Sequence, residues 1–463
     1  MKFYPVSRDT SSSSAKRLIL FFAGWGMDAA PFATLGRKGY DVTVVWDYRE
    51  IDFSVLQLDG YSEICVIGWS FGVVAAASFI AAYQDILPIT RCIAVAGTLY
   101  PVDDTRGIPV AIFEGTLAAL NDRSLRKFNR RMCDSSERFN AFMAKAPARD
   151  IQELKDELTA IRDRNYPFES SSELLFDSVY IPDTDLIIPS DNQRRAWAGH
   201  PNVHIIHSGH LVDFQPLLLS EIVGKEEMAG SFSEGATTYD ANAHAQHRAS
   251  ERLLALWSAF SSQPSPRVLE IGVGTGAFTR MYLDAFNPAD LRLWDIALGS
   301  GAGLDRAVEC CDAETAICSF PVGGTDTVVG ASAIQWFNSP MRFLTRCRRL
   351  LPPGGVCVFS TFGPDTFSEL HPYQSRKLQY IDTDGWHQIV TAAFSDPDDE
   401  VCVSAEHIRL DFSGPAEIIA HLRLTGVNAG GASRGIASLR SLLRSGLSSL
   451  TYHPIYILLR KAS

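Results

Sequence analysis

The sequence predicts two α/β domains in one chain, each with a largely parallel β-sheet covered by helices. Short, almost continuously apolar runs alternate with helical patterns from 18 to 223, and the alternation begins again at 267. Strands of this kind are typical of sheets that are buried on both faces. At 463 residues the chain is also too long for one core, because single cores stop growing beyond roughly 250–300 residues.

A segment rich in Gly, Ser, Thr and Glu separates the two patterned regions, so we predict domains at 1–225 and 226–463. The predicted strands of the first are RLILFFAG, DVTVVWDY, EICVIGWS, CIAVAGT, PVAIFEGT, SVYIPDTD and VHIIHSGH. Those of the second are RVLEIGVG, DLRLWDIA, TDTVVGASAIQW, GGVCVFSTF, EHIRLDF and PIYILLRKA. A charged, mainly helical insertion at about 116–173 is predicted to form a lid over the carboxyl ends of the first set of strands.

Composition excludes several classes of protein. The net charge of −11 argues against general nucleic-acid binding, which requires a basic surface. The nine cysteines contain no C-x-x-C pair, so they indicate neither a disulfide framework nor a zinc site, and they fit a reducing cytoplasm. No apolar run is long enough for a membrane span. We therefore expect a cytoplasmic protein without a membrane partner and without a bound metal.

The segment VIGWSFGVV, from Val66 to Val74, contains the pattern G-x-S-x-G between a predicted strand and a predicted helix. In that context the pattern is typical of a nucleophile elbow, a tight turn that exposes a serine hydroxyl at the top of a sheet. Ser70 is therefore a candidate nucleophile. The alternative is an ordinary strand-to-helix turn with an exposed serine.

The partners of Ser70 follow in the order of α/β-hydrolases, in which the serine precedes the acid and the acid precedes the histidine. Asp185 follows the strand SVYI, and His210 follows the strand NVHIIH. Asp183 is a weaker rival for the acid, and Asp213 could be only a local partner. We predict the triad Ser70, His210 and Asp185, with His210 as general base.

The oxyanion of an acyl transfer needs backbone N–H donors. The residue after the nucleophile, Phe71, is expected to supply one, and Trp25 in the loop after the first strand is expected to supply the other. The Trp25 indole could line an acyl pocket or could simply pack on the sheet. Trp69, next to the nucleophile, is a candidate wall of the same pocket.

The predicted lid contains RSLRKFNRRM, from Arg123 to Met132. At 100° per residue one helix face carries only positive charge while the opposite face is apolar. The basic side chains are Arg123, Arg126, Lys127, Arg130 and Arg131. Such a face can be merely solvated, but a single sign of charge beside an active site favours an anionic partner.

The segment RVLEIGVGTGAFTR is predicted to be a strand, a glycine loop and a helix. It also fits the dinucleotide pattern G-x-G-x-x-A, so both cofactor classes are open at this point. Glu270 before the loop, the segment CDAE after the expected third strand, and a possible antiparallel hairpin at the end of the chain favour a Rossmann-like class I methyltransferase that uses S-adenosylmethionine. In that arrangement Asp295 would bind the ribose hydroxyls and Asp312 the adenine amino group. The predicted cofactor residues are Glu270, Gly272, Gly274, Gly276, Asp295 and Asp312.

Two resemblances follow from longer segments. The second half, with FSEGATTYDANAHAQHRASERLLALW, AIQWF and above all TFGPDTFSEL, resembles malonyl-[acyl-carrier-protein] O-methyltransferases of biotin synthesis. The first half, with FFAGWGMD, AGTLYPVDDTRGIP, KFNRRMC and DLIIPSDNQRRAW, resembles pimeloyl-[acyl-carrier-protein] methyl ester esterases, a family that includes fusions to that methyltransferase. It departs from the usual hydrolase pattern at Pro182, where a glycine often stands.

The resemblance implies that one domain methylates the free carboxylate of a malonyl group on acyl carrier protein and that the other hydrolyses the pimeloyl methyl ester. The acidic carrier protein would then be the partner of the basic helix face. Tyr239, Gln335 and Trp336 are candidates for lining the methyl-acceptor site. The alternative is a broad-specificity carboxylesterase fused to a methyltransferase for an unrelated small acid, in which case the basic face would be incidental.

Overall fold

The computed structural model describes residues 1–9, 16–164, 166, 168, 175–261, 266–297, 299–301, 303–373, 380–425 and 439–462. The chain divides into two compact units, Met1–Ile222 and Val223–Ser463, and each is described by itself. Within the described ranges, no helix combines the length and the apolar character that crossing a membrane requires.

The first unit contains a seven-stranded sheet in the order β1-β3-β2-β4-β5-β6-β7. Strand β1 pairs antiparallel with β3, and the other neighbours are parallel. The predicted α/β class is therefore confirmed for this unit. The strands are β1 (Lys2–Ser7), β2 (Lys16–Phe22), β3 (Asp41–Trp46), β4 (Tyr61–Trp69), β5 (Ile89–Val95), β6 (Ser178–Pro182) and β7 (Val203–Ile206).

Helices of the first unit lie between and after these strands. They are α1 (Gly72–Tyr83), α2 (Val110–Ala118), α3 (Asp122–Met132), α4 (Ser136–Met143), α5 (Ile151–Asp163), α6 (Ser190–Ala196) and α7 (Phe214–Glu221). We refer to α2, α3, α4 and α5, which are inserted between β5 and β6, as the lid helices. The insertion predicted at 116–173 is helical as expected where it is described, but its first helix begins at Val110.

The predicted strand PVAIFEGT is wrong, because Val110–Ala118 forms helix α2. Its β-branched and aromatic residues suggested a strand of the sheet, yet Phe113 is its one buried residue. Ile112, Phe113 and Thr116 lie on one helical face and line the pocket beside Ser70. The apolar side chains of this segment thus serve a pocket wall, not the interior of a sheet.

The second unit contains a seven-stranded sheet in the order β10-β9-β8-β11-β12-β16-β13. Its first five strands in the chain are parallel and take the Rossmann order. The prediction of a Rossmann-like fold is therefore confirmed. The strands are β8 (Arg267–Ile271), β9 (Asp290–Asp295), β10 (Val308–Cys310), β11 (Thr327–Gly330), β12 (Val356–Phe362), β13 (Glu400–Ala405), β14 (Ile408–Asp411), β15 (Ser449–Tyr452) and β16 (Pro454–Arg460).

The last strand, β16, pairs antiparallel with both β12 and β13. Strands β14 and β15 form a separate two-stranded sheet, so the chain leaves the main sheet after β13 and returns to it at β16. The helices of this unit are α8 (Lys225–Asn242), α9 (His244–Phe260), α10 (Ala277–Phe286), α11 (Ala313–Ala316), α12 (Pro340–Leu350), α13 (Thr383–Ala393), α14 (Pro415–Leu424) and α15 (Leu439–Leu443).

Candidate active sites

Ser70 lies in a sharp turn between β4 and α1, with a positive φ of 56°. The flanking glycines make this turn possible. A Cβ at Gly72 would lie 2.0 Å from the carbonyl oxygen of Phe22, and a Cβ at Gly68 would lie 2.6 Å from the Cα of Val73. The turn therefore holds the Ser70 hydroxyl at the carboxyl end of the sheet, as an elbow requires.

The three predicted triad residues are joined by hydrogen bonds. His210 Nε2 lies 2.9 Å from Ser70 Oγ, and His210 Nδ1 lies 2.8 Å from Asp185 Oδ2. An ionised carboxylate only accepts hydrogen bonds, so Nδ1 carries the proton and the Nε2 lone pair faces the serine hydroxyl. In this tautomer His210 can remove the Ser70 proton.

Asp185 is held by three further donors. Its Oδ1 accepts the N–H groups of Ile187 and Ile188, at 2.7 and 3.0 Å. Its Oδ2 accepts the amide of Gln193 at 2.9 Å. The carboxylate is thus fixed and its charge is dispersed over backbone and amide donors, although the side chain is buried.

The rival acids lie elsewhere. Asp183 pairs with the exposed His207 at 3.0 Å, and Asp213 caps α7 by accepting the Gln215 N–H. His200 lies next to the Phe176 carbonyl, and His204 stacks on Tyr180. Neither Asp183 nor Asp213 is a hydrogen-bond partner of His210 among the described residues.

Trp25 and Phe71 flank Ser70 in one pocket. Within the described part of the chain, the backbone N–H of each lacks a hydrogen-bond acceptor, which leaves both available for an oxyanion. The Trp25 indole donates to the Leu154 carbonyl of α5 at 3.0 Å and meets Phe128 of α3 edge-on at 5.1 Å. Trp25 therefore joins the pocket floor to two lid helices.

Trp69 is fully buried, and its ring packs against Phe32, Phe214 and the His210 imidazole. The indole N–H donates to the His210 carbonyl at 2.9 Å. Trp69 lines the base of the pocket, and through this hydrogen bond it also positions the backbone of the histidine. The remaining pocket walls are Gly24, Ile108, Ile112, Phe113, Thr116, Phe128, Arg131, Met132, Leu158 and Ile187.

The basic side chains predicted for α3 are all exposed, while Met132 and Asn129 are buried on the other side. None of the five forms an ion pair with an acidic residue in the described ranges. Arg126 and Arg130 lie over the Phe139 ring, with the guanidinium carbon 5.3 and 5.9 Å from its centroid. Arg131 donates to the Leu186 carbonyl at 2.6 Å and lines the Ser70 pocket, so it connects the basic face to the pocket.

In the second unit a cleft lies at the carboxyl ends of β8, β9, β10 and β11. Gly272 and Gly274 line it, both with positive φ. Asp295 Oδ2 accepts the Gly274 N–H at 2.7 Å, and its Oδ1 accepts the Ala297 N–H at 2.7 Å. A Cβ at Gly274 would meet no other group within 4 Å, so the loop presents bare backbone to the cleft.

Asp312 lies in the same cleft, two residues after the end of β10, and caps α11. Its Oδ1 accepts the Glu314 N–H at 3.1 Å and lies 3.5 Å from Lys225 Nζ. Its Oδ2 is buried and has no hydrogen-bond partner among the described residues. Because a buried acceptor without a donor is costly, this atom is suited to accept a hydrogen bond from a bound amino group.

Three predicted residues do not line the cleft. Glu270 is turned toward α10, where it accepts the hydroxyls of Thr279 and Tyr282 at 2.7 and 2.6 Å. Burial raises the pKa of Glu270 to about 7. The Glu270 side chain therefore packs between β8 and α10 and does not line the cleft.

Gly276 caps α10, and a Cβ there would lie 2.7 Å from the Leu304 side chain. Its role is close packing and not contact with the cleft. Gln335 donates to the Ser332 carbonyl at 2.6 Å and likewise lies outside the lining residues. Tyr239 and Trp336 do line the cleft, and burial raises the pKa of Tyr239 well above its usual value.

Lys225 and Ser332 are among the cleft residues that no sequence pattern indicated. Lys225, at the start of α8, is buried and lies 2.6 Å from Glu314 Oε2, but it stands in a segment that reads as a linker. Ser332 has a positive φ of 55° and a buried hydroxyl without a partner among the described residues. A strained residue facing a pocket is a common mark of function, but φ is not visible in a sequence.

Comparisons with known proteins follow this division. Residues 7–217 match the family model described as pimeloyl-ACP methyl esterase BioG, and residues 241–395 match a methyltransferase domain. A malonyl-[acyl-carrier protein] O-methyltransferase of Bacteroides fragilis (strain 638R) is 35% identical over 464 residues, which cover 96% of this chain and 93% of the relative. A protein of the same description from Bacteroides thetaiotaomicron is 31% identical and covers 52% of this chain and 99% of its own length.

Among solved structures, the crystal structure of BioG from Haemophilus influenzae is similar to the chain. It has a TM-score of 0.40 and 30% sequence identity, and the match covers 46% of this chain and 94% of that one.

Proposed function

Since the chain belongs to the family of malonyl-[acyl-carrier protein] O-methyltransferases, we propose that it both forms and removes a methyl ester in biotin synthesis. The second unit would methylate the free carboxylate of malonyl-[acyl-carrier protein] with S-adenosylmethionine. The first unit, an α/β-hydrolase in this proposal, would hydrolyse pimeloyl-[acyl-carrier protein] methyl ester to the free acid and methanol. The esterase assignment of the first unit rests on the hydrogen bonds that join Ser70, His210 and Asp185, together with the match to an esterase family.

Hydrolysis would proceed through an acyl-enzyme. His210 Nε2 takes the Ser70 proton while Ser70 Oγ attacks the ester carbonyl, and the N–H groups of Trp25 and Phe71 stabilise the oxyanion. The C–O bond to the methoxy group breaks, and His210 returns the proton to form methanol. Water, activated by His210, then releases the carboxylic acid and restores Ser70. Asp185 remains ionised and stabilises the imidazolium.

The direction of the acyl chain follows from the substrate. The methyl ester is at one end and the carrier protein at the other, so the chain must run from Ser70 out of the pocket. Its walls are mainly apolar, which suits methylene groups. Arg131 stands where the pocket meets the basic face of α3, and that face would bind the acidic carrier protein.

Methyl transfer would use the cleft of the second unit. S-adenosylmethionine supplies an electrophilic methyl group when bound. Asp295 would hold the ribose hydroxyls, and the free Oδ2 of Asp312 fits the amino group of adenine. Gly272 and Gly274 would let the ligand lie against backbone.

The acceptor carboxylate has an ordinary pKa near 4, so it is already ionised at neutral pH. The protein therefore needs mainly to align it, and no general base is required. Tyr239 lines the cleft, and its hydroxyl, whose pKa burial raises further above neutral pH, can donate a hydrogen bond to the acceptor. His247 and Ser250 of α9 line the same cleft.

Joining the two activities has a physical reason. A free carboxylate costs several kcal/mol to move into an apolar channel such as those that extend acyl chains. Methylation removes the charge before extension, and hydrolysis restores it afterwards. The first reaction creates the group that the second removes.

The test is mass spectrometry of pimeloyl-[acyl-carrier protein] methyl ester incubated with the wild-type chain or with Ser70→Ala. We expect the wild type to remove the mass of one methylene and the variant to leave the ester intact. Malonyl-[acyl-carrier protein] with labelled S-adenosylmethionine tests the other unit, and there Asp295→Ala should lower transfer while Ser70→Ala should not. Equal hydrolysis of short free esters and the carrier-bound ester would instead support a broad-specificity carboxylesterase.

A further inference from the structure

Three metal-ligating side chains meet in the second unit, away from the residues that line the cleft. Asp365 follows β12, His407 stands between β13 and β14, and His453 stands between β15 and β16. These are the points at which the chain leaves and re-enters the main sheet. The two imidazole rings stack with centroids 4.4 Å apart and an interplanar angle of 14°.

The ligand atoms are close to the spacing that one ion requires. Asp365 Oδ2 lies 2.9 Å from His407 Nε2 and 3.5 Å from His453 Nδ1. All three atoms lie within 4.8 Å of one another. Ligand atoms of a tetrahedral zinc site, with bonds of about 2.0–2.1 Å, lie about 3.3 Å apart. Small rotations of the exposed His407 and Asp365 side chains would bring the set into that geometry.

His453 provides a second, independent observation. Its side chain is only 9% exposed, and Nδ1 makes no hydrogen bond to any described residue. A Cβ at position 363 would lie 2.6 Å from this nitrogen, so Gly363 makes the room that the imidazole occupies. Packing alone does not explain a buried imidazole nitrogen that lies 3.5 Å from a carboxylate oxygen and makes no hydrogen bond.

We propose that Asp365, His407 and His453 bind one divalent transition-metal ion of the zinc class. Two imidazoles and one carboxylate are ligands that Zn²⁺ and its neighbours accept. Asp365 and His407 are each more than half exposed, so water can complete the coordination. The ion would link the segment after β12 to the two segments that connect the small β14–β15 sheet to β13 and β16.

This site does not depend on the proposed function, and the sequence itself predicted no bound metal. That expectation rested on cysteine spacing, whereas these ligands are spread from 365 to 453 and follow no short motif. Only the crossing of strands between two sheets brings them together. The proposed metal site is therefore a property of the tertiary fold of the second unit.

The test measures binding of Zn²⁺ by calorimetry to the chelator-treated full-length protein, with Co²⁺ absorption as a spectroscopic probe. Asp365→Asn and His407→Gln are the informative variants, because both side chains are exposed and their replacement should not prevent folding. His387→Gln, on the surface of α13, is the matched control. We expect one equivalent of Zn²⁺ to bind to wild type and control, and the affinity to fall by about 100-fold or more in each variant.

Two readouts separate this site from adventitious binding. Co²⁺ bound here should show the visible bands of nitrogen and oxygen ligation, without the near-ultraviolet absorption of thiolate. Zn²⁺ should raise the melting temperature of wild type and control but not of the two variants. Equal binding by all four proteins, or a thiolate spectrum from the exposed Cys310, Cys318 or Cys402, would overturn the proposal.

Discussion

The two candidate active sites differ in how fully their polar atoms are paired. Around Ser70, the hydroxyl, both histidine nitrogens and both carboxylate oxygens have partners within the protein. In the cleft of the second unit, Asp312 Oδ2 and Ser332 Oγ are buried without partners among the described residues. The first site contains a hydroxyl that is already hydrogen-bonded to a histidine, whereas the second site presents unpaired polar atoms to which a ligand can bind.

This difference has an energetic consequence. A buried acceptor without a donor costs about 1–3 kcal/mol, and a ligand that satisfies it recovers that cost. We therefore expect the second unit to be stabilised by its ligand, because a ligand that binds only the folded state raises its stability. The first unit should be much less sensitive to its substrate.

The largest expected effect comes from removing the nucleophile of the site around Ser70. Ser70→Ala removes the nucleophile, and loss of a catalytic serine lowers kcat by about 10⁶-fold in a comparable triad. Ester hydrolysis, measured as the release of methanol, should fall to background. Methyl transfer by the same preparation serves as the control and should be unchanged, since the glycine loop and its aspartates are untouched. Comparable hydrolysis by wild type and variant would exclude Ser70 as the nucleophile.

The cleft of the second unit is tested by Asp295→Ala. This change removes a carboxylate that accepts the Gly274 and Ala297 N–H groups and that is proposed to bind ribose. Loss of charged hydrogen bonds should weaken binding of S-adenosylmethionine by about 10- to 100-fold. Calorimetric titration measures the change. Asp284→Ala, on α10 and not among the cleft-lining residues, is the control that should bind normally.

The basic face of α3 is tested by Lys127→Glu. The exposed Lys127 makes no ion pair in the described ranges, so its charge is available to an acidic partner. We expect KM for the carrier-bound ester to rise roughly tenfold at low salt and less at high salt. Lys145→Glu, at another exposed site beyond α4, is the matched control. An equal rise for a short free ester would show that the effect does not come from carrier binding.

A smaller effect is expected from Gln193→Leu, which removes one of the donors to Asp185. The two backbone N–H groups remain, so kcat for ester hydrolysis should fall by about fivefold while KM is retained. A general packing defect would instead lower thermal stability and alter KM. Steady-state kinetics together with a melting curve distinguish these outcomes.

Glu270→Gln should have the smallest effect on catalysis, because the side chain faces α10 and not the cleft. Burial raises the pKa of Glu270 to about 7, from a usual value of 4.5. The neutral carboxyl group therefore stabilises the fold fully below about pH 4.5, and this stabilisation is lost as the pH rises through 7. The variant, which cannot ionise, should become more stable than wild type by roughly 3 kcal/mol above pH 7. Urea unfolding across this pH range measures the difference, and parallel curves would contradict it.

The strands that the sequence predicted well are those buried on both faces. ICVI and VCVF are continuous apolar runs, and they form parts of β4 and β12. Val110–Ala118 has a similar composition but forms α2, since three of its residues face a pocket and most of the others face solvent. Composition shows that a segment is apolar, but it does not show what covers it.

The hydrogen-bonded set of Ser70, His210 and Asp185, which we propose as a catalytic triad, was accessible to sequence reasoning because each member follows a recognisable strand, and parallel strands end at the same edge of a sheet. Its supporting residues were not. Gln193 reaches Asp185 from a later helix, and the Trp69 indole reaches the His210 carbonyl across 141 positions. Such contacts depend on side-chain direction, for which no short pattern exists.

By itself, the sequence determined two α/β patterns, a serine elbow with its acid and histidine in order, a glycine loop with two aspartates, and a one-signed basic helix. These features are local, so spacing along the chain reveals them. The tertiary structure alone decided that Glu270 faces α10, that Asp312 keeps an oxygen free, and that Asp365, His407 and His453 meet. Each of these depends on residues far apart in the chain, which only the packing of strands and helices brings within bonding distance.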